Sequence, residues 1–202
     1  MNKNRLEAFS DGVFAIVITL LILDVKLPLH VDYDHLGDAI LAIMPKILSY
    51  GYSFIIIGLY WVSHHNISRF MVKIDRVVIW LNILLLLFVS FIPFPTSLMG
   101  EYPFKLIPIW IYGSTLLASN VTGFFIWRYV SKNYRHLNPN TPKEAIRAIN
   151  KSFLFVNLFY IVAMAVSFAH VYLSYGIFFG VLVYMILFSK SDRASTVIVA
   201  PQ

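Results

Sequence analysis

Six long apolar stretches, each close to the roughly 20 residues that cross a bilayer as a helix, decide what this chain can fold into. They fall near residues 6–26, 40–64, 77–97, 106–127, 150–170 and 174–189. In the first, every residue from Val13 to Leu23 except Thr19 is apolar. Hydrocarbon offers no partner to a backbone N–H or C=O, so such segments must cross as helices that bond their polar backbone internally. A soluble domain carries about 25% charged residues; this chain has 13%, against 59% hydrophobic. The fold class read from this is an all-α integral membrane protein with six transmembrane helices in residues 1–190, followed by a short tail, 191–202. With no cysteine, neither a disulfide framework nor a thiolate metal site is available.

Punctuation supports the same map. Pro28 is expected to end the first span, and Pro93 with Pro95 the third. Pro45 is expected to mark a kink or the membrane entry of the second. Thr141-Pro142-Lys143-Glu144 reads as a capping box that opens the fifth helix before it enters the membrane. The first span has a basic start, but no small-residue cleavage site follows it and Asp11 is foreign to a signal peptide, so a retained helix is expected.

A net charge of +6 would suggest nucleic acid in a soluble protein. Here its distribution speaks of topology instead. Of the sixteen basic residues, all but Lys26, Lys46 and Lys105 fall on one side of the six-span map, among them Arg69, Lys73, Arg76, Arg128, Lys132, Arg135, Arg147, Lys190 and Arg193. The other side carries Asp24, Asp32, Asp34, Asp38 and Glu101, and its acidic loop is placed either to gather cations or simply to be solvated. By the positive-inside rule, both termini are expected in the cytoplasm and the chain in the cell membrane.

Ionisable groups inside a span are functional candidates by default. They are Asp11, His64, His65 and His170, with Asn82, Asn120 and Asn157 as neutral polar company. Asp11 reads as architecture, stabilised by the helix dipole and satisfied by Arg5 or by the second or third helix, or else as a group with a direct part in transport. His64 and His65 are adjacent and diverge on a helix, which argues against joint metal chelation, since that uses i,i+3 or i,i+4 spacing. One of them is expected to bond across the bundle to Ser10 or Asp11, with Asn82 and Asn157 in the same network and Trp61 as an interfacial anchor. No nucleophile–base pair, HExxH motif or paired intramembrane carboxylate is present, so enzyme chemistry and a bound cofactor are not expected.

On a wheel of about 100° per residue with Ile16 at zero, Leu20 lies near +40°, Leu23 near −20°, Phe9 near +20° and Thr19 near −60°. Asp11 and Ser10 fall near −140° and +120° on the same estimate, towards the other side. The apolar column Ile16, Leu20, Leu23 can face lipid or a neighbouring helix, or it can line a pore built from several copies; spacing alone does not separate these. On the sixth span, Gly176 and Gly180 form a small-xxx-small pair suited to close packing.

Arg5-Leu6-Glu7-Ala8-Phe9-Ser10-Asp11 fits the RxxxFSD signature of the transmembrane protein 175 family, the endolysosomal and prokaryotic potassium channels that lack a TVGYG filter. Trp61, His64, His65, Asp75, Asn82 and "FIPFPT" at 91–96 extend the likeness, as do six spans of the expected size. The resemblance implies a homotetramer whose first helix lines a central pore. It implies an apolar constriction at Ile16, further apolar rings at Leu20 and Leu23, and a contribution to potassium preference from Thr19. Arg5, Phe9, Ser10 and Asp11, with Trp61, His64, His65 and Asn82, would form the motif and packing network that holds this helix in register. The expected function is a passive, modestly potassium-selective channel whose partners are potassium, lipid and further copies of itself. The alternatives are a proton or non-selective cation channel, or a proton-coupled transporter using Asp11 with His64 and His65.

Overall fold

A computed structural model of the chain describes residues 3–134 and 136–196. Arg135 and residues 197–202 of the expected tail lie outside the described residues, as do the side chains of Lys190 and Arg193. The described residues form eight α-helices: α1 (Lys3–Leu20), α2 (Leu36–Ala42), α3 (Met44–Phe70), α4 (Arg76–Phe91), α5 (Pro93–Glu101), α6 (Leu106–Ser131), α7 (Lys143–Val166) and α8 (Val171–Thr196). A 3-10 turn, Leu21–Asp24, continues α1, so the first span runs from Lys3 to Asp24. Four further spans are Arg76–Glu101, Leu106–Ser131, Lys143–Val166 and Val171–Phe188. The bent pair Tyr33–Ala42 and Met44–Phe70, at 49° to each other, supplies the sixth.

Several expected boundaries move. Pro93 and Pro95 do not end the third span. Ile92 keeps α-helical torsions, and its N–H bonds Val89 at 3.1 Å. The helix then restarts as α5 with Pro93 in its first turn, where a missing N–H costs little. Thr96, the residue directly after the second dropped donor, bonds the Ile92 carbonyl with both its N–H and its hydroxyl. Pro45 sits in the first turn of α3, directly after the bend at Ile43. The second helix runs past residue 64 to Phe70, so His64 and His65 lie within it rather than at its end.

The capping box before α7 does not form. Pro142 occupies the cap position with no side-chain hydrogen bond, and the Thr141 hydroxyl donates instead to the Asn138 carbonyl at 2.7 Å. A proline at the cap places Thr141 one residue too early to reach the orphan N–H groups. The final helix continues into the expected tail as far as Thr196.

The spans alternate in direction and pack in sequence: α1 against α3 and α4, α4 on α6, α6 on α7, α7 on α8 and α3 on α5. Buried hydroxyls stitch the middle of the bundle. Thr96 Oγ1 donates to Ser53 Oγ at 2.8 Å, and Ser53 shares a 2.8 Å hydrogen bond with Tyr112. Tyr60 donates to the Leu116 carbonyl at 3.0 Å beside Tyr160. Gly100 and Gly113 permit close approach, since an added Cβ would lie 2.9 Å from the Lys46 Cα and 2.7 Å from Met164 Cγ respectively. Gly176 and Gly180, singled out by spacing, are exposed and have no such neighbour within the protomer. At the basic end the loop after α6 straps the loop after α3. His136 O accepts from Val72 N at 2.8 Å, and Phe70 O accepts from Asn138 N at 3.0 Å.

Candidate functional site

The two faces of α1 do different things. Leu6, Ser10, Phe14, Val17 and Leu21 recur at helical spacing and are buried, forming the face that α1 turns to α3 and α4. The opposite face is open in the protomer: Phe9 is 54% exposed, Ile16 60%, Leu20 44% and Leu23 57%, and Thr19 is exposed beside them. Because the helix tightens to a 3-10 turn after Leu20, three residues make one full turn, so Leu23 stays in line with Leu20. The apolar column is therefore straighter than an ideal α-helix would make it.

Thr19 bonds its own helix: its hydroxyl lies 2.8 Å from the Ile16 carbonyl and 3.1 Å from that of Ala15. The single hydroxyl proton is thereby turned towards the backbone, leaving oxygen lone pairs for whatever lies in front of the helix. A cation needs just such an acceptor.

Polar ties hold the motif end of the buried face. The Ser10 hydroxyl donates to the Leu6 carbonyl at 2.9 Å, so its oxygen is left to accept from Asn82 Nδ2, also at 2.9 Å. That turns Asn82 Oδ1 towards His64 Nε2 at 2.8 Å, and the pattern requires His64 to donate through Nε2. The His64 ring packs near Phe14, with centroids 5.8 Å apart. Asp11 takes no part in this chain. Its Oδ1 accepts from Trp61 Nε1 at 2.8 Å, and the Trp61 ring stacks on His65. Trp61 is thus a hydrogen-bond partner of the motif rather than only an interfacial anchor. A histidine does bond Ser10's network, through Asn82, whereas Asp11 meets neither histidine directly.

Some expected members fall elsewhere. Asn157 belongs to another tie, accepting from Asn120 Nδ2 at 2.8 Å between α7 and α6. His170 lies in the turn between α7 and α8. Arg5 is exposed, and among the described residues it has no ion pair or hydrogen bond within the protomer. Two ties were missed from sequence. Glu7 accepts a short hydrogen bond from Ser68, and Lys3 Nζ donates to the Met71 carbonyl at 2.9 Å. The signal was present as Trp61, His64 and Ser68 at i, i+3 and i+7 on α3, facing Glu7, Ser10 and Asp11 at i, i+3 and i+4 on α1.

A parallel structure supports the start of α4. Asp75 caps it, accepting from Val78 N at 3.0 Å, and takes a 2.6 Å hydrogen bond from Tyr129 while His136 Nε2 lies 3.3 Å away. Partial desolvation pushes this carboxyl up. Its hydrogen bonds from Tyr129 and Val78 and the nearby His136 outweigh that and hold it below the ordinary carboxylate range.

Comparison with known proteins places this arrangement. The family described as endosomal/lysosomal potassium channel TMEM175 matches residues 5–93. A potassium channel of Chamaesiphon minutus is 36% identical over 192 residues, covering 93% of this chain and 95% of its own length. The crystal structure of a lysosomal potassium-selective channel TMEM175 homolog from the same organism superposes with a TM-score of 0.83 at 36% identity, covering 93% of this chain and 97% of that one. An endosomal/lysosomal proton channel TMEM175 of Gallus gallus is 41% identical over 113 residues, which are 52% of this chain and 23% of that protein.

Proposed function

Because the chain belongs to the TMEM175 family, a family of membrane ion channels and not of enzymes, we propose that it conducts potassium passively through a pore lined by the first helix of four identical copies. The observation that carries this reading is the division of labour on α1. One face is consumed by packing and polar ties, while Ile16, Leu20 and Leu23 form an unpartnered apolar column with the Thr19 oxygen at its side. Around a fourfold axis that column becomes stacked apolar rings, each pair about 6 Å or less apart along the helix.

Such rings restrict flow by dewetting: a narrow apolar passage holds water poorly, and an ion crosses only by losing or deforming its hydration shell. Sodium holds its shell more tightly than potassium, so the barrier favours potassium modestly. Oxygen from Thr19 would replace part of the lost hydration. Asp11, in this reading, never meets the ion. It holds α1 against Trp61 so that the rings stay in register. The positive-inside bias supports a cell-membrane location with both termini cytoplasmic.

The test is ion flux in liposomes containing purified protein, wild type against Ile16→Asn. A polar ring at the narrowest point should wet the passage, raising flux and eroding the preference for potassium over sodium. Unchanged flux and selectivity in an assembled Ile16→Asn protein would sink the assignment of Ile16 as constriction. A second reading, proton permeation through the same pore, is favoured by the animal relatives named as proton channels. It predicts acidification of the vesicle lumen under an inward proton gradient with no potassium present.

A further inference from the structure

A cleft of about 660 Å³ opens at the basic end of the molecule, where the last turn of α6 meets the early turns of α4 and α7. Its deeper wall is apolar: Leu81 on α4, Phe125 on α6 and Ile146 on α7. Its outer rim is basic, formed by Arg128 and Lys132, with Ser131 between them. Phe125, Arg128 and Lys132 stand at i, i+3 and i+7, so a single stripe of α6 changes from apolar to cationic over about two turns, or roughly 10 Å. That is the gradient a lipid presents from acyl chain to phosphate.

Charge sharpens the match. Among the described residues no carboxylate lines the cleft, and Tyr129, which does, commits its hydroxyl to Asp75. Among the described residues, the side chain of neither Arg128 nor Lys132 is held by an ion pair or a hydrogen bond, and both are exposed. Two uncompensated cations therefore sit above a half-open apolar floor, with Phe125 55% exposed. Leu81 and Phe125 lie inside the spans near 77–97 and 106–127, while Ile146, in the first turn of α7, precedes the span near 150–170, so the floor runs from the edge of the hydrocarbon up to the headgroup level of the rim. Basic pockets between membrane helices on the positive side are where anionic headgroups bind.

We propose that this cleft between α4, α6 and α7 binds an anionic phospholipid of the surrounding bilayer, its phosphate held by Arg128 and Lys132 and its acyl chain laid over Leu81, Phe125 and Ile146. The inference rests on the membrane-spanning fold and the basic end, and it does not depend on which ion the protein passes. A lipid here would bridge three spans at the level where Asp75 caps α4, and would brace the half of the bundle that α1 leans on.

The experiment is native mass spectrometry of the full-length protein released from nanodiscs of equal phosphatidylglycerol and phosphatidylcholine. Wild type should retain phosphatidylglycerol preferentially. The double variant Arg128→Gln/Lys132→Gln should retain it roughly thirtyfold less well, the loss expected for two basic residues beside an anionic surface. Arg128→Lys with Lys132→Arg should keep the preference, and Lys105→Gln, at the other end of α6, should not change it. Equal retention of both lipids by wild type, or undiminished phosphatidylglycerol in the double variant, overturns the proposal. So does equally tight binding of free glycerol phosphate, which would make this an anion site without use for the apolar floor. A change in copy number with unaltered lipid retention would instead give the cleft to a second copy of the chain, and would also overturn it.

Discussion

Asn82 sits between Ser10 and His64 with both ends of its amide used, donating to one and accepting from the other. Replacing it by Leu preserves volume but leaves Ser10 and His64 without their partner, and interhelical bonds of this kind contribute about 1 kcal/mol each in membranes. Asn82→Leu should therefore lower stability by roughly 1–2 kcal/mol in reversible unfolding from detergent micelles. The Asp11–Trp61 bond makes a sharper contrast. Asp11→Asn keeps an oxygen for the Trp61 N–H and should remain near wild-type stability, whereas Asp11→Leu should match Trp61→Phe. Equal losses in Asn and Leu variants would mean that charge, not hydrogen bonding, is what the site uses. Much of this was legible in the sequence: the motif marked Ser10 and Asp11, and helical spacing separated them from the Ile16 column. The pairing was not, because which side chain Asp11 meets depends on how α1 crosses α3, and a one-residue shift along α3 exchanges Trp61 for a tyrosine or a valine.

At the scale of elements, spans were easy to find and their ends were not. Apolar length dictates a membrane helix, but prolines were read as stops where the chain uses them as restarts: Pro93 opens α5 after a single turn in which Ile92 bonds back to Val89. Close packing was misplaced for a related reason. A small-xxx-small spacing marks where helices can approach; within the protomer the close approaches are at Gly100 and Gly113, while Gly176 and Gly180 stay open on its surface. Gly100→Ala should push α5 from the backbone of α3 and cost roughly 1–3 kcal/mol, read as a lower thermal midpoint, while Gly180→Ala should leave the protomer's midpoint unmoved. The cap of α4 carries a pH signature. A carboxyl held below its unfolded pKa adds stability that is present above that unfolded value and fades as pH falls through the folded one. Acidifying through and below about pH 4, the ordinary carboxylate range, should thus destabilise wild type more than Asp75→Asn, with the two curves converging at the acid end. Parallel curves would remove Asp75 from the account of the cap.

The whole molecule reads as a clamp and a face. Five of the spans, their buried hydroxyls and the strap between residues 70–72 and 136–138 form a body, and α1 is fastened to that body by polar ties at its motif end. What remains outward on α1 is apolar and uncovered, an arrangement that is costly only in water and that suits a helix meeting copies of itself around an axis. The absence of cysteine makes the central claim, that this face lines the pore, open to a direct test. Single cysteines at Ile16, Leu20 and Leu23, and at Leu158 on the exposed side of α7, would be reconstituted in liposomes and treated with Ag⁺, a thiol-reactive cation small enough to follow potassium. Flux should be blocked rapidly in the three α1 variants and be unaffected at Leu158. Block at Leu158 with none at Ile16, Leu20 or Leu23 would place the permeation path elsewhere in the molecule and contradict the account.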